Sequence, residues 1–256
     1  MVRLYAHRGA SAELPENTLP AFRRALELGA DAIETDAHLT ADGQVVLSHD
    51  PTGKRMAGVS RPIAQCPLAE VWTWDAGRHH RSRSGESFAG RGFRVPTLAE
   101  ALVELPDTPF NLDVKAPTAR LIAAILDVVR RAGAEQRVLL ASFDSGTLRA
   151  IREAGYRGPT GMGQGEVAQL ALLPGPLWRR LEVRGQRAQV PLSTLGIKLA
   201  RRGFLERCHQ KGLAVDFWTV NAPTLALQLL ELGADGIMTD DPAAVAPALG
   251  KGGRKG

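Results

Sequence analysis

A regular alternation of short apolar runs with longer segments of helical periodicity is the feature that most constrains the fold of this 256-residue chain. Apolar runs of this length, bounded by glycine and proline, are typical of buried strands, and the longer segments are typical of connecting helices. The predicted strands cover residues 2–6, 30–39, 110–115, 138–142, 159–163, 190–192, 213–220 and 236–239. About eight such units predict an α/β fold with a parallel sheet closed into a TIM (β/α)8 barrel.

An internal echo supports this architecture. Residues 26–36 read LELGADAIETD, and residues 230–240 read LELGADGIMTD. Each copy is the end of a helix, a glycine turn and the strand that follows, as expected of a ring of repeated units. An open, doubly wound sheet is the alternative, but no GxGxxG motif follows the first strand.

The alternation extends over one predicted domain, residues 1–248. It is interrupted at about 51–96 by a stretch rich in Arg, Gly and Ser, which includes Trp72 and Trp74. A segment of this length between barrel elements is typical of a functional lid or of disorder. We therefore expect a small insertion after the second βα region that caps an active site, and a disordered tail at 249–256.

Composition and cysteine spacing indicate where this protein is located and what kind of partner it binds. No run approaches the ~20 apolar residues of a membrane helix, and the opening MVRLYAHRGA has no apolar leader segment, so neither membrane insertion nor secretion is expected. Cys66 and Cys208 have no metal or redox spacing, which fits two ordinary thiols in the cytoplasm. A net charge of +5 favours an anionic small-molecule partner. Basic and aromatic residues are not interleaved as in nucleic-acid-binding proteins, and no motif bears on the oligomeric state.

Two carboxylates on the second predicted strand are candidates for cation ligands. Glu34 and Asp36 are two residues apart, so both side chains point to the same side of the strand, which in a barrel can be the interior. Buried carboxylates are costly unless they are paired or bind a cation. Hard oxygen ligands suit Ca²⁺ or Mg²⁺ better than zinc. Pairing with arginine side chains or capping of a loop is the alternative.

Two histidines follow predicted strands close to these carboxylates. His7 ends the first strand, and His49 follows the run at 45–48. Histidines that titrate near neutrality can accept a proton and donate one during the same reaction, although a single histidine at a strand end is more often structural. Arg8 could bind a phosphate bidentately, and Gly9 could let a ligand approach the backbone.

Three further residues extend the candidate site. Asp113 and Lys115 lie two apart on the predicted strand at 110–115, so one could be a third oxygen ligand and the other a cation for phosphate. An ordinary Asp–Lys pair is the alternative. Trp218 ends a later strand and could form an apolar wall for a substrate or be simple core.

In this order, the motifs resemble those of the glycerophosphodiester phosphodiesterase family, part of the superfamily of phospholipase C-like phosphodiesterases. The most specific ones are AHRG at 6–9, ENT at 16–18, IETD at 33–36 and SHD at 48–50. The resemblance continues to about residue 242 through VPTL at 95–98, NLDVK at 111–115, ASF at 141–143, WTVN at 218–221 and GIMTDDP at 236–242. It implies a TIM barrel that hydrolyses glycerophosphodiesters, such as glycerophosphocholine and glycerophosphoethanolamine, to an alcohol and sn-glycerol 3-phosphate.

The resemblance also implies roles for individual residues. The positions matching Glu34, Asp36 and Asp113 bind one divalent cation, Ca²⁺ or Mg²⁺, in that family, and those matching His7 and His49 are the general acid/base pair. The positions matching Arg8 and Lys115 hold phosphate. One departure is that the family has glutamate where this chain has Asp113, which shortens the reach of that ligand by one methylene.

Two other functions remain open at this point. A lysophospholipase D cuts the same bond in a substrate that keeps one acyl chain, and Val71, Trp72 and Phe88 of the insertion could form a groove for that chain. A phosphodiester-binding barrel without catalysis would keep Arg8 and Lys115 but would not need the histidines and carboxylates. The related sphingomyelin-cleaving toxins are secreted and disulfide-linked, and this chain has neither trait.

Overall fold

The computed structural model describes residues 2–115 and 117–252, which alternate between strands and helices. The strands are Arg3–His7 (β1), Ala32–Leu39 (β2), Val45–Leu47 (β3), Thr52–Gly53 (β4), Val59–Pro62 (β5), Phe110–Val114 (β6), Val138–Ala141 (β7), Arg187–Val190 (β8), Ser193–Thr194 (β9), Ile197–Lys198 (β10), Ala214–Phe217 (β11) and Gly236–Thr239 (β12). The α-helices are Leu19–Glu27 (α1), Lys54–Ala57 (α2), Leu68–Val71 (α3), Leu98–Glu104 (α4), Ala119–Arg131 (α5), Ser145–Glu153 (α6), Gln164–Leu172 (α7), Arg202–Gln210 (α8), Pro223–Leu232 (α9) and Pro242–Ala248 (α10), with short 3₁₀ turns at Ile63–Gln65 and Trp178–Arg180.

The parallel strands curl into a closed barrel. Seven of them pair in the spatial order β7-β6-β2-β1-β12-β11-β8. The gap between β7 and β8 is filled by Thr160 and Gly161, which make parallel bridges to Leu140 and Arg187. Gly161 N also donates to Leu140 O at 2.9 Å. The weak strand predicted here is therefore the fifth strand of the ring, and the (β/α)8 fold is confirmed.

Apolar residues that point outward from the strands pack under the helices in two clusters. One lies around β2, β6 and β7 and includes Phe22 of α1, whose ring meets that of Phe110 edge to face at 6.2 Å. The other lies around β8, β11 and β12 and is covered by α7 to α10. Because alternate residues of a strand face opposite sides, the intervening positions point into the barrel.

The sixth barrel strand, β8, covers residues 187–190, whereas the sequence predicted 190–192. The side chains of β8 that point into the barrel are polar, so this strand does not form an apolar run in the sequence. Arg187 there donates from Nε to Oδ2 of the fully buried Asp216 at 2.5 Å. The barrel interior thus holds a bidentate ion pair, because the guanidinium also donates to the other carboxylate oxygen.

The first helix, α1, has a side-chain cap at its start and a glycine after its end. Ala21 N donates to the hydroxyl of Thr18 at 3.4 Å, so Thr18 is the N-cap. Gly29 follows the helix with a φ of 99°, in the left-handed region that favours glycine. Asn17 is left free to contact β2, as described below.

The insertion lies between β3 and α4, within the second βα unit, and is ordered. It contains β4, α2, β5 and α3 and has a small apolar cluster of its own, formed by Val46, Ala57, Ile63, Cys66, Val71, Trp74 and Val95. Of the two alternatives that the sequence left open for this segment, a lid or disorder, the separate core accounts for the order seen here.

The chain end differs from the expected disordered tail. Leu249 packs against the second apolar cluster, and Lys251 Nζ lies 2.7 Å from Asp31 Oδ2. Residues 253–256, the rest of the predicted tail, lie outside the described residues. Within 2–115 and 117–252, no helix has the length and apolar character needed to cross a membrane.

Candidate active site

The register of three adjacent strands brings the candidate residues together. In the pairing of β1 with β2, His7 lies opposite Glu34. In the pairing of β2 with β6, Asn111 lies opposite Glu34, and Asp113 lies opposite Asp36. These positions alternate with the outward apolar ones, so all five side chains point inward near the carboxyl ends of the strands.

A cavity of about 510 Å³ opens at this end of the barrel. All eight residues singled out from the sequence line it: His7, Arg8, Glu34, Asp36, His49, Asp113, Lys115 and Trp218. The sequence analysis thus named eight residues that share one cavity, and the strand register explains how His7, Glu34, Asp36 and Asp113 meet there.

His49 reaches the cavity by a hairpin. β3 pairs antiparallel with β2, so it is not a barrel strand, and Ser48 N donates to Asp36 O at 3.0 Å. The imidazole of His49 is hydrogen-bonded through Nδ1 to Asp50 Oδ1 at 2.7 Å. Buried His38 donates from Nε2 to the His49 carbonyl oxygen at 3.2 Å and so holds its backbone. Burial lowers the pKa of His38, which favours this neutral donor.

His7 is held from the opposite end of the chain. Its Nδ1 lies 2.6 Å from Asp240 Oδ1, and its Nε2 lies 3.8 Å from Glu34 Oε2. Burial acts to lower the pKa of His7, but the hydrogen bond to Asp240 and the charge of Glu34 outweigh it, so the pKa is raised. Asp240 is itself fixed by Asn221, whose Nδ2 donates to Oδ2 at 2.9 Å.

The carboxylates are deeply buried. Glu34 is 6% exposed and Asp36 is 2% exposed, and burial together with the charge of Asp36 raises the pKa of Glu34 well above its ordinary value. Asn17 Nδ2 donates to Asp36 Oδ2 at 3.3 Å. Among the described residues, Glu34 Oε2 and Asn111 Oδ1 are buried without a hydrogen-bond partner. Such orphaned oxygens are unfavourable unless a ligand binds them.

Lys115 lies between two of the carboxylates. Its Nζ is 2.5 Å from Asp113 Oδ2 and 3.1 Å from Asp36 Oδ1. Burial lowers the pKa of Lys115, but the charges of these two groups outweigh it and raise the pKa. In the part of the chain that the structure describes, no three His, Cys, Asp or Glu side chains are already gathered around one ion position. The ammonium of Lys115 occupies part of the space that a cation on Asp36 and Asp113 would need.

An ion-pair network joins the rim of the cavity to the insertion. Arg8 NH1 lies 3.3 Å from Glu16 Oε1, and Arg8 Nε lies 3.4 Å from Asp36 Oδ2. Arg55 of the insertion donates to Glu16 through both terminal nitrogens, at 2.7 and 2.8 Å, and through Nε to Asp50 Oδ2 at 2.6 Å. The insertion thus contacts the partner of His49, although none of its described residues lines the cavity.

Gly9 has a packing role rather than the expected ligand contact. Its φ is 85°, and a Cβ placed there would lie 2.7 Å from the backbone carbon of Ala21. A side chain at this position would push the AHRG loop away from α1. Gly9 does not line the cavity.

Aromatic side chains stand beside the charged groups. Trp218 and Phe143 meet edge to face with ring centroids 5.8 Å apart, and Lys115 Nζ is 5.8 Å from the Phe143 centroid. The Phe143 ring is 54% exposed at the mouth of the cavity. Trp218 therefore forms a wall of the cavity, as one of its two sequence interpretations expected.

Several residues of this site were missed from the sequence, namely Asp50, Asn111, Asp240 and the Glu16–Arg55 pair. Asn111 and Asp50 lie inside the recognised motifs NLDVK and SHD. For Asp240 a signal was present, because the internal echo places it at the position equivalent to Asp36. The pairing of Arg55 with Glu16, however, has no signal in the sequence, because the two residues are brought together only by the fold.

Comparison with known proteins agrees with this geometry. The model of the glycerophosphoryl diester phosphodiesterase family matches residues 7–244. The chain belongs to this family. Membership makes it a phosphoric diester hydrolase, and the predicted family resemblance is confirmed.

Relatives of this family member cover it almost end to end. A glycerophosphodiester phosphodiesterase of Caldanaerobacter subterraneus subsp. tengcongensis is 31% identical over 254 residues, 97% of this chain and 98% of the relative. A lysophospholipase D of Homo sapiens is 26% identical, over 93% of this chain and 82% of the relative. The solved structure of an Oleispira antarctica phosphodiesterase in complex with the product sn-glycerol-3-phosphate has a TM-score of 0.77 and 25% identity, over 97% of this chain and 96% of the other.

Proposed function

We propose that this family member hydrolyses glycerophosphodiesters, such as glycerophosphocholine and glycerophosphoethanolamine, to an alcohol and sn-glycerol 3-phosphate. We further propose that His7 and His49 act as general acid and base and that activity depends on one Ca²⁺ or Mg²⁺ ion. The observation that carries the proposal is the strand register, which sets His7 beside Glu34 and Asp36 beside Asp113 at one cavity. The product bound to the Oleispira antarctica neighbour supports the same reaction.

The oxygen donors present suit a hard divalent cation, which would displace the Lys115 ammonium from between Asp36 and Asp113. Glu34, Asp36 and Asp113 would hold it, and the orphaned oxygens Glu34 Oε2 and Asn111 Oδ1 are the kind of donor that it would satisfy. Burial is the main cause of the raised pKa of Glu34, and the charges of Asp36 and Asp113 add to it; the positive charge of a bound cation would oppose all three. When bound, the cation would stabilise negative charge that develops on the phosphoryl oxygens.

The chain's own groups have separable tasks. Arg8 and Lys115 would bind phosphoryl oxygens, since both are cations that line the cavity. The Nδ1 atoms of His7 and His49 are bonded to Asp240 and Asp50, which leaves each Nε2 free to exchange a proton. One histidine would take a proton from the nucleophile, and the other would give one to the leaving alcohol oxygen.

An assay of purified protein tests this proposal. Glycerol 3-phosphate would be measured from glycerophosphocholine after EDTA treatment and after addition of Ca²⁺, Mg²⁺ or Mn²⁺. We expect release only with an added cation, and a loss of roughly 10²-fold or more in kcat for His7→Ala and His49→Ala. His79→Ala, an exposed insertion histidine outside the cavity, is the matched control. Full activity in EDTA would contradict the cation requirement, and silence with every cation would contradict the reaction itself.

A second candidate substrate is a glycerophosphodiester that keeps one acyl chain, the class named by the human relative's activity. The groove expected for that chain in the insertion is not there. Val71 and Phe88 are buried, and the ring of Trp72, which is 41% exposed, lies against the guanidinium of Arg94 at 4.7 Å. None of these three lines the cavity. The apolar lining of the cavity itself is what favours this substrate.

A non-catalytic binding barrel is the third function considered from the sequence. It would require neither histidine–carboxylate pair, yet both are formed here, His7 with Asp240 and His49 with Asp50. Hydrolysis is therefore the function that the site supports best.

A further inference from the structure

A second cavity, of about 220 Å³, lies between helix α1 and the end of the insertion. Helix α1 contributes Leu19, Pro20 and Arg23 to its lining, and the insertion contributes residues 91–94 and Pro96. None of these residues lines the larger cavity of the candidate active site. Three of the eight lining residues are arginines and none is acidic. The proposed hydrolysis gives no role to this second cavity, called here the arginine cavity.

Each of the three guanidiniums is oriented by a carboxylate that is not part of the cavity lining. The acceptors are Glu104 for Arg23, Glu86 for Arg91 and Glu100 for Arg94. A guanidinium has five N–H donors, and these bonds use one or two of them, so most of the donors remain available to a ligand. Ion pairs as exposed as these are weak, and an anion in the cavity can compete with the glutamates for the same arginines.

The backbone of the insertion adds further donors to the lining. Among the residues that the structure describes, the N–H groups of Gly92, Phe93 and Arg94 have no hydrogen-bond acceptor. The segment is nevertheless held in place, because Ala76 N donates to Phe93 O at 2.9 Å. Gly92 has a φ of 80°, and a Cβ placed there would meet no atom within 4 Å, so the space beside it is open. Successive N–H groups in such a turn can form a concave nest for an anion.

The insertion carries the whole net charge of the chain. Residues 51–96 contain eight Lys and Arg and three Asp and Glu, whereas the other residues of the chain contain 24 of each kind. This excess gives the insertion a positive potential, which raises the concentration of anions near its surface. The arginine cavity therefore combines attraction of anions at long range with several donors at short range.

We propose that the arginine cavity is a second anion site, which binds the dianionic group of a small phosphate monoester. Such a group carries nearly two negative charges at pH 7 and has three acceptor oxygens, so it can accept from all three guanidiniums at once. A carboxylate has only two oxygens, and a phosphodiester has two unesterified oxygens and a single charge. The proposed product, sn-glycerol 3-phosphate, is a monoester of this class, but the site does not depend on the hydrolytic function. A bound phosphate would join α1 to the insertion, because Arg23 belongs to the first and Arg91 and Arg94 to the second.

Amide resonances can report on this site separately from the candidate active site. Methyl phosphate would be titrated into the full chain in EDTA at about pH 8, where a phosphate monoester is a dianion, while the ¹H–¹⁵N resonances are followed. We expect saturable shifts of the Gly92, Phe93 and Arg94 amides, with a Kd in the millimolar range or below. The absence of saturable shifts at these three amides would overturn the proposal, even if amides near His7 and His49 respond.

Arg23→Met and Arg94→Met each remove one guanidinium, the first from α1 and the second from the insertion. Each should raise the Kd measured at the Gly92 amide by about tenfold or more, because a charge-assisted contact with phosphate is lost. Arg61→Met is the matched control, since Arg61 is in the insertion, is similarly exposed, pairs with Glu70 and does not line the cavity. Its Kd should stay within about twofold of the wild-type value, because salt screens a distant exposed charge. An equal rise of Kd in Arg61→Met would indicate diffuse attraction to a basic surface and would overturn a defined site.

A matched pair of esters tests the charge of the ligand. Dimethyl phosphate has the same phosphorus centre as methyl phosphate, but it has a single negative charge and one unesterified oxygen fewer. We expect its Kd at the Gly92 amide to be higher than that of methyl phosphate by about tenfold or more. Equal Kd values for the two esters would contradict the assignment to phosphate monoesters. These titrations require no turnover, so their result is independent of the assay of glycerophosphodiester hydrolysis.

Discussion

His7 and Asp240 are joined by a hydrogen bond of 2.6 Å between Nδ1 and Oδ1, although 233 positions separate them in the chain. The two residues meet because β1, which ends at His7, and β12, which Asp240 follows, are neighbours in the sheet. A carboxylate on Nδ1 fixes the tautomer and the ring orientation of a histidine that exchanges protons through Nε2.

Asp240→Asn is expected to lower kcat about 10- to 100-fold, because an amide holds the His7 ring less firmly and does not stabilise its charged form. KM should change much less, since Asp240 does not line the cavity. Steady-state kinetics on glycerophosphocholine would measure both. The control is Asp235→Asn in the surface pair with His209, joined at 2.8 Å away from the cavity. Equal losses of kcat in the two variants would rule out a specific role for Asp240.

Arg55→Met is expected to reduce kcat about 3- to 10-fold with little effect on the melting temperature. The substitution removes the guanidinium that donates to Asp50, and Asp50 in turn orients His49. The melting temperature should change little because an exposed ion pair contributes only about 0–1 kcal/mol to stability. Arg61→Met is a close control, because Arg61 is in the same insertion, is similarly exposed and pairs with Glu70 at 2.8 Å. A kcat of Arg55→Met equal to that of Arg61→Met would show that the insertion does not act on His49.

The sequence predicted the barrel and eight of the residues that line the cavity because both depend on short-range patterns. The two-residue spacing of Glu34 and Asp36 was enough to put them on one side of β2. Pairings such as His7 with Asp240 could not be predicted, since they depend on which strands become neighbours. The predicted position of β8 was wrong for a related reason. Arg187 can point into the barrel interior only because it pairs with Asp216, a charged residue 29 positions away.

Glu100→Ala is expected to destabilise the protein by about 1 kcal/mol at pH 7, because Glu100 completes the capping box of α4 with Thr97. Thr97 N donates to Glu100 Oε2 at 2.8 Å, and Glu100 N donates to the Thr97 hydroxyl at 3.1 Å. Denaturant unfolding would measure the difference. Glu104→Ala, in the same helix but outside the box, controls for the change in helix propensity.

The decrease in the free energy of unfolding caused by Glu100→Ala should depend on pH. Burial raises the pKa of Glu100, but hydrogen bonds from Arg94 and Thr97 outweigh it, so the folded-state pKa is lowered. A lowered carboxyl pKa contributes stability above the unfolded-state value of about 4.3, and this contribution is lost as the pH falls through the folded-state pKa. The difference in unfolding free energy between wild type and Glu100→Ala should therefore shrink below about pH 4. A difference that is constant from pH 7 to pH 3 would contradict this account.

Replacing Glu34 and Asp36 should make the melting temperature independent of added divalent cations. In wild type, the proposed Ca²⁺ or Mg²⁺ ion at about 100 times its Kd should stabilise the folded state by about 2.7 kcal/mol, as expected of a ligand that binds only the folded chain. For a chain of this length that corresponds to a rise of roughly 5–10 °C in melting temperature. The double variant Glu34→Gln with Asp36→Asn should show no such rise. Its melting temperature without cation should be below that of wild type, since Asp36→Asn removes the buried carboxylate that pairs with Lys115 and Arg8. Scanning calorimetry in EDTA and in added cation would measure both effects, with Asp42→Asn at an exposed turn as the control. A cation-dependent rise that persists in the double variant would place the ion elsewhere.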